Sequence, residues 1–320
     1  MFTFETEQKV CKIGGLKVGG RPAENPPLLI ASMFHNKDRI LQDRKGNFDR
    51  VRATELIRKQ EELTEATGIP GMVAMMANSA GEAKIYIDFF VETTDMPFAI
   101  DMWVAEKRMA ATEYVAKLGL QDRFVYNSIT PWDKDIPGQV QRVKELGIKH
   151  VFVQAFDDAD QSPKGRLTSL EKLLDQGAGD FESVLVDSSV MNLPAASFSM
   201  LANRMIKEKL GLPCGSAYSN GTHMWKEAKE IWGLDGFKAM DAVAQGMSTA
   251  LWSDFNFYGP IVTAPRIFPG VATANILLST LVFDETGEVS ENEDLPIRKH
   301  FSEFLEKMIA GGARKKAQAR

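Results

Sequence analysis

The chain has 320 residues, 44% of them hydrophobic and 25% charged, with a formal net charge of −5. That supplies enough core for one large α/β domain or two ordinary ones, without disulfide or metal staples. A mildly acidic composition argues against general nucleic-acid binding, which needs concentrated Lys and Arg.

In chain order, the opening MFTFETEQKV carries no basic-then-apolar signal pattern. The stretch Val10 to Gly20, punctuated by Gly14-Gly15, predicts two short strands joined by a glycine turn, a hairpin capping the bottom of the fold that follows. After Pro26-Pro27, the run Leu28 to Phe34 has the continuous apolar character of a buried strand. Val51, Leu56, Ile57 and Leu63 recur at helical spacing over residues 49–66, and Gly68-Ile69-Pro70-Gly71 stops that helix.

The same alternation then repeats. Predicted strands lie at 72–76, 97–100, 124–126, 151–156 and 184–186, each followed by a predicted helix: 81–92, 106–118, 136–146, one containing 167–174, and 194–210. Leu212 to Ser216 is the weakest strand, being short and holding both Pro213 and Gly215. Helical pieces at 223–231 and 237–249 follow it, then a strand at 255–258 and a helix at 268–283. Eight such units over roughly 250 residues have the rhythm of a closed (β/α)8 TIM barrel. An open doubly wound sheet shares the alternation but usually has fewer units, and no early glycine-rich phosphate loop is present. The expected organisation is a hairpin extension over 1–27, the barrel over 28–285, and a helical extension over 286–320 with its helix at 299–309. The basic cluster Arg314-Lys315-Lys316 with Arg320 reads as a solvated tail.

Only Cys11 and Cys214 are present, which fits a reducing compartment, and Cys214 reads as a small buried hydrophobe. No uninterrupted apolar run of about 18 residues occurs, so the chain is expected to be cytoplasmic and not membrane-spanning.

Residues that end barrel strands surround the cup where ligands bind. Here they are Asn78, Asp101, Asn127, Gln154, Asp187, Ser216 or Asn220, and Asn256. Of the four histidines only His35 and His223 could approach that cup, so a catalytic metal, which usually takes three protein ligands, is not expected. Acids and amides without a strong nucleophile suit a flat heteroaromatic ligand. A carboxylate such as Asp187 can accept two parallel N–H bonds from a 2-amino-4-oxo ring, and Asn supplies one donor and one acceptor group. Taken alone, Asp101 could equally cap the following helix.

Cys11 to Gly20 followed by Arg21-Pro22, then Tyr126 to Ile129, Leu212 to Ser216 and Tyr258 to Ile261, resemble the H-subunit family of tetrahydromethanopterin S-methyltransferase in order and over almost the whole chain. The resemblance implies a pterin-binding barrel related to methyltetrahydrofolate:corrinoid methyltransferases and, more distantly, to dihydropteroate synthase. At Phe34 to Lys37 and Ser188 to Met191 the chain departs from the archaeal pattern. It resembles more the bacterial methylcobalamin:tetrahydrofolate methyltransferases of glycine betaine catabolism. That subgroup implies direct methyl transfer between a corrinoid and N5 of tetrahydrofolate, with cobalamin carried by a partner corrinoid protein or supplied free, in a homodimer.

By the same resemblance, Asp187 grips the 2-amino group, Asp101 and Asn127 bind other ring edges, and Asn220 lies near N5; Gln154 and Ser216, from their strand-end positions, are expected to bind as well. Trp103, Trp132, Phe156, Met191 and Tyr218 are expected to form an apolar docking rim. The alternatives are a tetrahydromethanopterin-specific methyltransferase subunit of a larger complex and a non-catalytic pterin-binding subunit. A synthase joining p-aminobenzoate to a pterin pyrophosphate would need a strand-seven lysine, which Leu212 to Ser216 lacks.

Overall fold

A computed structural model describes residues 1–43 and 45–318, with side chains through residue 312. The side chains of the basic cluster 314–316, and Arg320 entirely, lie outside the described residues.

Strands β1 (Val10–Ile13) and β2 (Leu16–Gly19) form the expected antiparallel hairpin, with Ile13 opposite Leu16. Gly14 and Gly15 take φ of 53° and 86°, and a two-residue hairpin loop of this hand needs positive φ at both positions. A Cβ on Gly14 would sit 2.9 Å from Pro97, and its N–H donates to Asp122 O, so the turn is seated against the loops that feed two barrel strands. Cys11, Ile13 and Val18 pack in one cluster with Leu28, Met72 and Phe255 from inside the barrel. The hairpin is a plug under the N-terminal end of the barrel.

The barrel is closed, in the order β10, β3, β4, β5, β6, β7, β8, β9. Its strands are β3 (Leu28–Met33), β4 (Gly71–Met76), β5 (Phe98–Asp101), β6 (Phe124–Ile129), β7 (His150–Gln154), β8 (Ser183–Asp187), β9 (Cys214–Ser216) and β10 (Phe255–Pro260). All neighbours run parallel, and β10 pairs with both β3 and β9, which removes the open-sheet alternative. Outside lie α1 (Arg50–Thr67), α2 (Ala80–Thr93), α3 (Ala105–Lys117), α4 (Ile136–Glu145), α5 (Pro163–Leu173), α6 (Ala195–Leu210), α7 (Tyr218–Met224), α8 (Ala228–Ala250) and α9 (Ala264–Thr286). The last helix, α10 (Pro296–Gln318), packs on α9 and is longer than the expected 299–309.

Local chemistry fixes the helix ends. Asp49, Ser79, Asp135 and Ser162 each accept from a first-turn backbone N–H, and Gly68 closes α1 in the left-handed region at φ 78°. The largest departure from the expected elements follows β9. The predicted helix at 223–231 is instead the end of α7, a break at residues 225–227, and the start of α8, which kinks at Gly233.

Strand alternation sorts the side chains. Leu28, Ile30, Met72, Ala74, Ala99, Val125, Phe152, Leu185, Phe255 and Phe257 point into the barrel. Ala31, Val73, Ile100, Tyr126, Val153 and Val186 point to the helices.

At the bottom rim, Lys207 on α6 is buried and donates to both Asp254 oxygens at 2.9 and 2.7 Å and to Gly20 O at 3.1 Å. Asp254 also accepts from Cys214 N at 3.0 Å, so one ion pair ties the hairpin's exit, α6, β9 and the approach to β10. We expect Lys207→Met to cost about 3–5 kcal/mol in urea unfolding, because it strands a buried carboxylate. Lys207→Met with Asp254→Asn should recover much of that loss. A single variant as stable as the parent would show that the pair does not brace the base.

Candidate functional site

At the C-terminal end of the strands a cavity of about 1110 Å³ is lined by Asn78, Asp101, Asn127, Gln154, Asp187 and Asn220, over Met76 and Phe257. The alternation that buries Ala99, Val125, Phe152 and Leu185 inside the barrel delivers Asp101, Asn127, Gln154 and Asp187, each two residues on, to the next inward layer. Gln154 pairs with Asp187 and Met76 with Asp101, while β6 and β7 shift register between Asn127 and Ile129, with Asn127 opposite Phe152. Four adjacent strands thus set a polar ring on an apolar floor.

Asn256 does not join the ring. Phe255 and Phe257 on either side of it face inward, so Asn256 points outward, fully buried, and donates to Gln245 O at 3.2 Å and Thr249 Oγ1 at 3.3 Å. Ser216 is also fully buried. Its hydroxyl donates to Asp187 Oδ1 at 2.7 Å, so it orients the carboxylate. Asn220 is exposed on the short α7 and faces the same cavity. His223 is held at Ser219 O and against the Phe237 ring, outside the cavity lining. Cys214 is buried, as expected, and burial pushes its thiol well above the ordinary range.

Asp187 Oδ1 accepts from Ser189 N at 2.8 Å as well as from Ser216. Its Oδ2, the Asp101 carboxylate and the Asn127 amide make no hydrogen bond among the described residues, although all are half-buried. Asp101 does not cap α3, whose N-cap is Val104 without a side-chain bond. Burial raises the Asp101 carboxyl above its ordinary value; Arg108 opposes the rise and the charge of Asp187 adds to it. Burial likewise raises Asp187, against the pull of the Ser216 and Ser189 hydrogen bonds and of Arg166.

Two buried arginines brace the loops beneath this ring. Arg108 donates to Tyr126 Oη at 3.0 Å, Met102 O at 3.0 Å and Asp133 at 2.9 Å. Arg166 donates to Ser188 O at 2.7 Å, to Gln161 O, and more distantly to Ser189 O. Each sits in the first turn of its helix, from which a long side chain leans back toward the preceding loop. Sequence reasoning missed both. The available signal was a charge on an apolar stripe: Arg108 shares its buried face with Ala111, Thr112 and Val115, and Arg166 with Leu170 and Leu173.

The residues expected to form a docking rim differ in exposure. Trp103, Trp132 and Met191 are exposed, but Phe156 and Tyr218 are buried. Tyr218 is locked by Ser253, Asn203 and Ser199, and burial raises its hydroxyl to about 12.

Comparison with known proteins now bears on this geometry. The sequence profile of the tetrahydromethanopterin S-methyltransferase MtrH subunit matches residues 6–289. The H subunit of tetrahydromethanopterin S-methyltransferase from Methanopyrus kandleri is 32% identical, the match covering 93% of this chain and 96% of that protein. The corresponding protein of Methanosarcina acetivorans is 30% identical, covering 93% and 99%. Among solved structures, dihydropteroate synthase of Yersinia pestis shares the fold at a TM-score of 0.54 and 9% identity, over 84% of this chain and 98% of that one.

These findings correct the sequence reading of the substrate. The matching profile and both relatives are named for tetrahydromethanopterin, so the assignment to tetrahydrofolate, cobalamin and glycine betaine catabolism is set aside. The chain belongs to the tetrahydromethanopterin S-methyltransferase MtrH subunit family.

Proposed function

We propose that the chain is a methyltransferase that binds a reduced pterin of the tetrahydromethanopterin class and works as one subunit of a larger assembly. One observation carries the reading. Asp101, Asn127 and the free oxygen of Asp187 turn unfilled hydrogen-bonding atoms into one half-buried cavity. Polar groups withdrawn from water without partners are costly, and a flat ring edged with N–H donors and acceptors would fill them together. The methanopterin class comes from the family, in the names that the profile and the two relatives carry.

In this reading Asp187, held on one oxygen by Ser216 and Ser189, accepts from the 2-amino group and the adjacent ring N–H of the pterin. Asp101 and Asn127 take the remaining ring edges, with Gln154 beside Asp187. Asn220, on α7 at the mouth, lies near N5. The N5–CH3 bond breaks as a nucleophile on the acceptor bonds to the methyl carbon. The electron pair of the broken bond returns to N5, which takes up a proton. Asn220 can hydrogen-bond N5 with or without that proton. The protein contributes alignment, which alone lowers such barriers substantially. The acceptor comes from another chain, consistent with relatives that are themselves subunits.

Calorimetric titration should show tetrahydromethanopterin binding to the purified chain and Asp187→Asn weakening it roughly 10- to 100-fold, the range of a lost charge-assisted hydrogen bond, with the fold intact by circular dichroism. Unchanged affinity would remove Asp187 from the site, and binding of tetrahydrofolate in its place would overturn the pterin class. Asn220→Ala should leave that affinity within a few-fold and slow methyl transfer about tenfold or more, measured in single turnover with the assembled acceptor.

The acids also set a stability cost. Because the folded protein raises Asp101 above its unfolded value, stability is full at low pH and is lost as pH rises through the folded value. Asp101→Asn should therefore melt above the parent at about pH 8 and level with it at about pH 3. An equal difference at both would show that the carboxylate carries no such cost.

A further inference from the structure

The cavity is larger than the polar ring requires, and its outer part is aromatic. Trp103 follows β5 and Trp132 follows β6, and both line the cavity. Their ring centroids lie 6.4 Å apart with the planes inclined by 27°. Behind Trp132 stands Phe156, at 5.7 Å and buried. Exposure climbs along this row from 2% at Phe156 to 44% at Trp132 and 89% at Trp103. An aromatic ladder therefore runs from the barrel wall out to the mouth, ending on an indole almost wholly in water.

The Trp132 indole is held directly, and the loops that carry both tryptophans are braced. The Trp132 indole N–H donates to Asp158 at 2.9 Å. The buried Arg108 bonds Met102 O, the residue before Trp103, and Asp133, the residue after Trp132. Asp133 in turn accepts from Thr130 N at 2.8 Å. One guanidinium thus spans the two loops that carry the pair, and Arg108 is itself buried with Tyr126 as a third partner. Bracing a loop that presents an indole to solvent does nothing for the core. It fits a surface kept ready for a ligand.

Building on the proposed pterin reading, we infer that Trp103 and Trp132 form the subsite for the arm of the substrate, stacking its arylamine ring, and that Arg108 is the positioning residue for that pair. Reduced one-carbon pterins carry an aryl ring a short link from the pterin. With the pterin held at Asp101, Asn127 and Asp187, the next aromatic group meets indoles carried by the loops immediately beyond Asp101 and Asn127. The centroid spacing of 6.4 Å is near the outer limit for a direct ring pair, so a further ring gains contact that the two indoles lack between themselves.

The test compares two ligands by calorimetry on the full chain: tetrahydromethanopterin, and 6-methyltetrahydropterin, which has the ring system without the aryl arm. Trp103→Ala should weaken tetrahydromethanopterin about five- to tenfold, the scale of one aromatic stacking contact, and leave 6-methyltetrahydropterin unchanged. Trp103→Phe should keep most of the affinity. Arg108→Lys, which keeps the charge but cannot span three acceptors, should mimic Trp103→Ala for both ligands. If neither ligand binds the parent chain, the pterin reading itself falls. If they bind and Trp103→Ala changes neither affinity, the arm subsite is overturned. If that variant leaves both affinities intact but weakens association with the acceptor protein, the indoles serve a protein partner and the proposal is overturned in that direction.

Discussion

Everything at the mouth of this barrel follows from the period of two along a β-strand. Once Ala99, Val125, Phe152 and Leu185 are committed to the barrel interior, the residue two further along each strand faces the same way. Those residues are Asp101, Asn127, Gln154 and Asp187. Parallel pairing sets Gln154 beside Asp187, while the β6–β7 register shifts just after Asn127, which pairs with Phe152; the polar ring stands on the hydrogen-bonded ladder beneath it. Its floor is apolar for the same reason.

That arrangement has an electrostatic counterpart. Two carboxylates share one cavity, and burial raises both. The opposing contributions are Arg108 for Asp101, and Ser216, Ser189 and Arg166 for Asp187. Both arginines are anchored mainly to carbonyls and a neighbouring side chain in the loops, so they act on the acids without neutralising them by contact. The arrangement keeps Oδ2 of Asp187 and the whole Asp101 carboxylate open while loop carbonyls and hydroxyls hold their surroundings. Sites of this kind commonly trade stability for function.

Much of this was legible in the sequence. Continuous apolar strands alternating with amphipathic helices implied a closed parallel barrel, because each strand must be buried on both faces. Asp101, Asn127 and Asp187 line the cavity as expected because strand ends in a barrel crowd around the cup. Asn256 was misplaced because strand end is a weaker guide than side-chain parity: with Phe255 and Phe257 inward, Asn256 can only face α8. Phe156 and Tyr218 were misjudged for a related reason. Size and loop position say nothing about which way an aromatic ring turns, and Tyr218 is drawn inward by a buried group of hydroxyls and an amide. The substrate class was beyond the residues themselves, since acids and amides suited to one reduced pterin's edge would suit another's equally.

The hairpin at the base has a consequence for traffic. Ile13 and Val18 pack with Leu28, Met72 and Phe255 at the barrel's lower end, which is filled with side chains, so the cavity lies on the strands' C-terminal side. Under the proposed function, a small reactant in that cavity would have to be seated before a protein-sized partner covered the mouth, and could leave only after that partner had withdrawn. A modest glycine turn at the far end of the molecule is thereby part of what leaves that one face for the chemistry's participants.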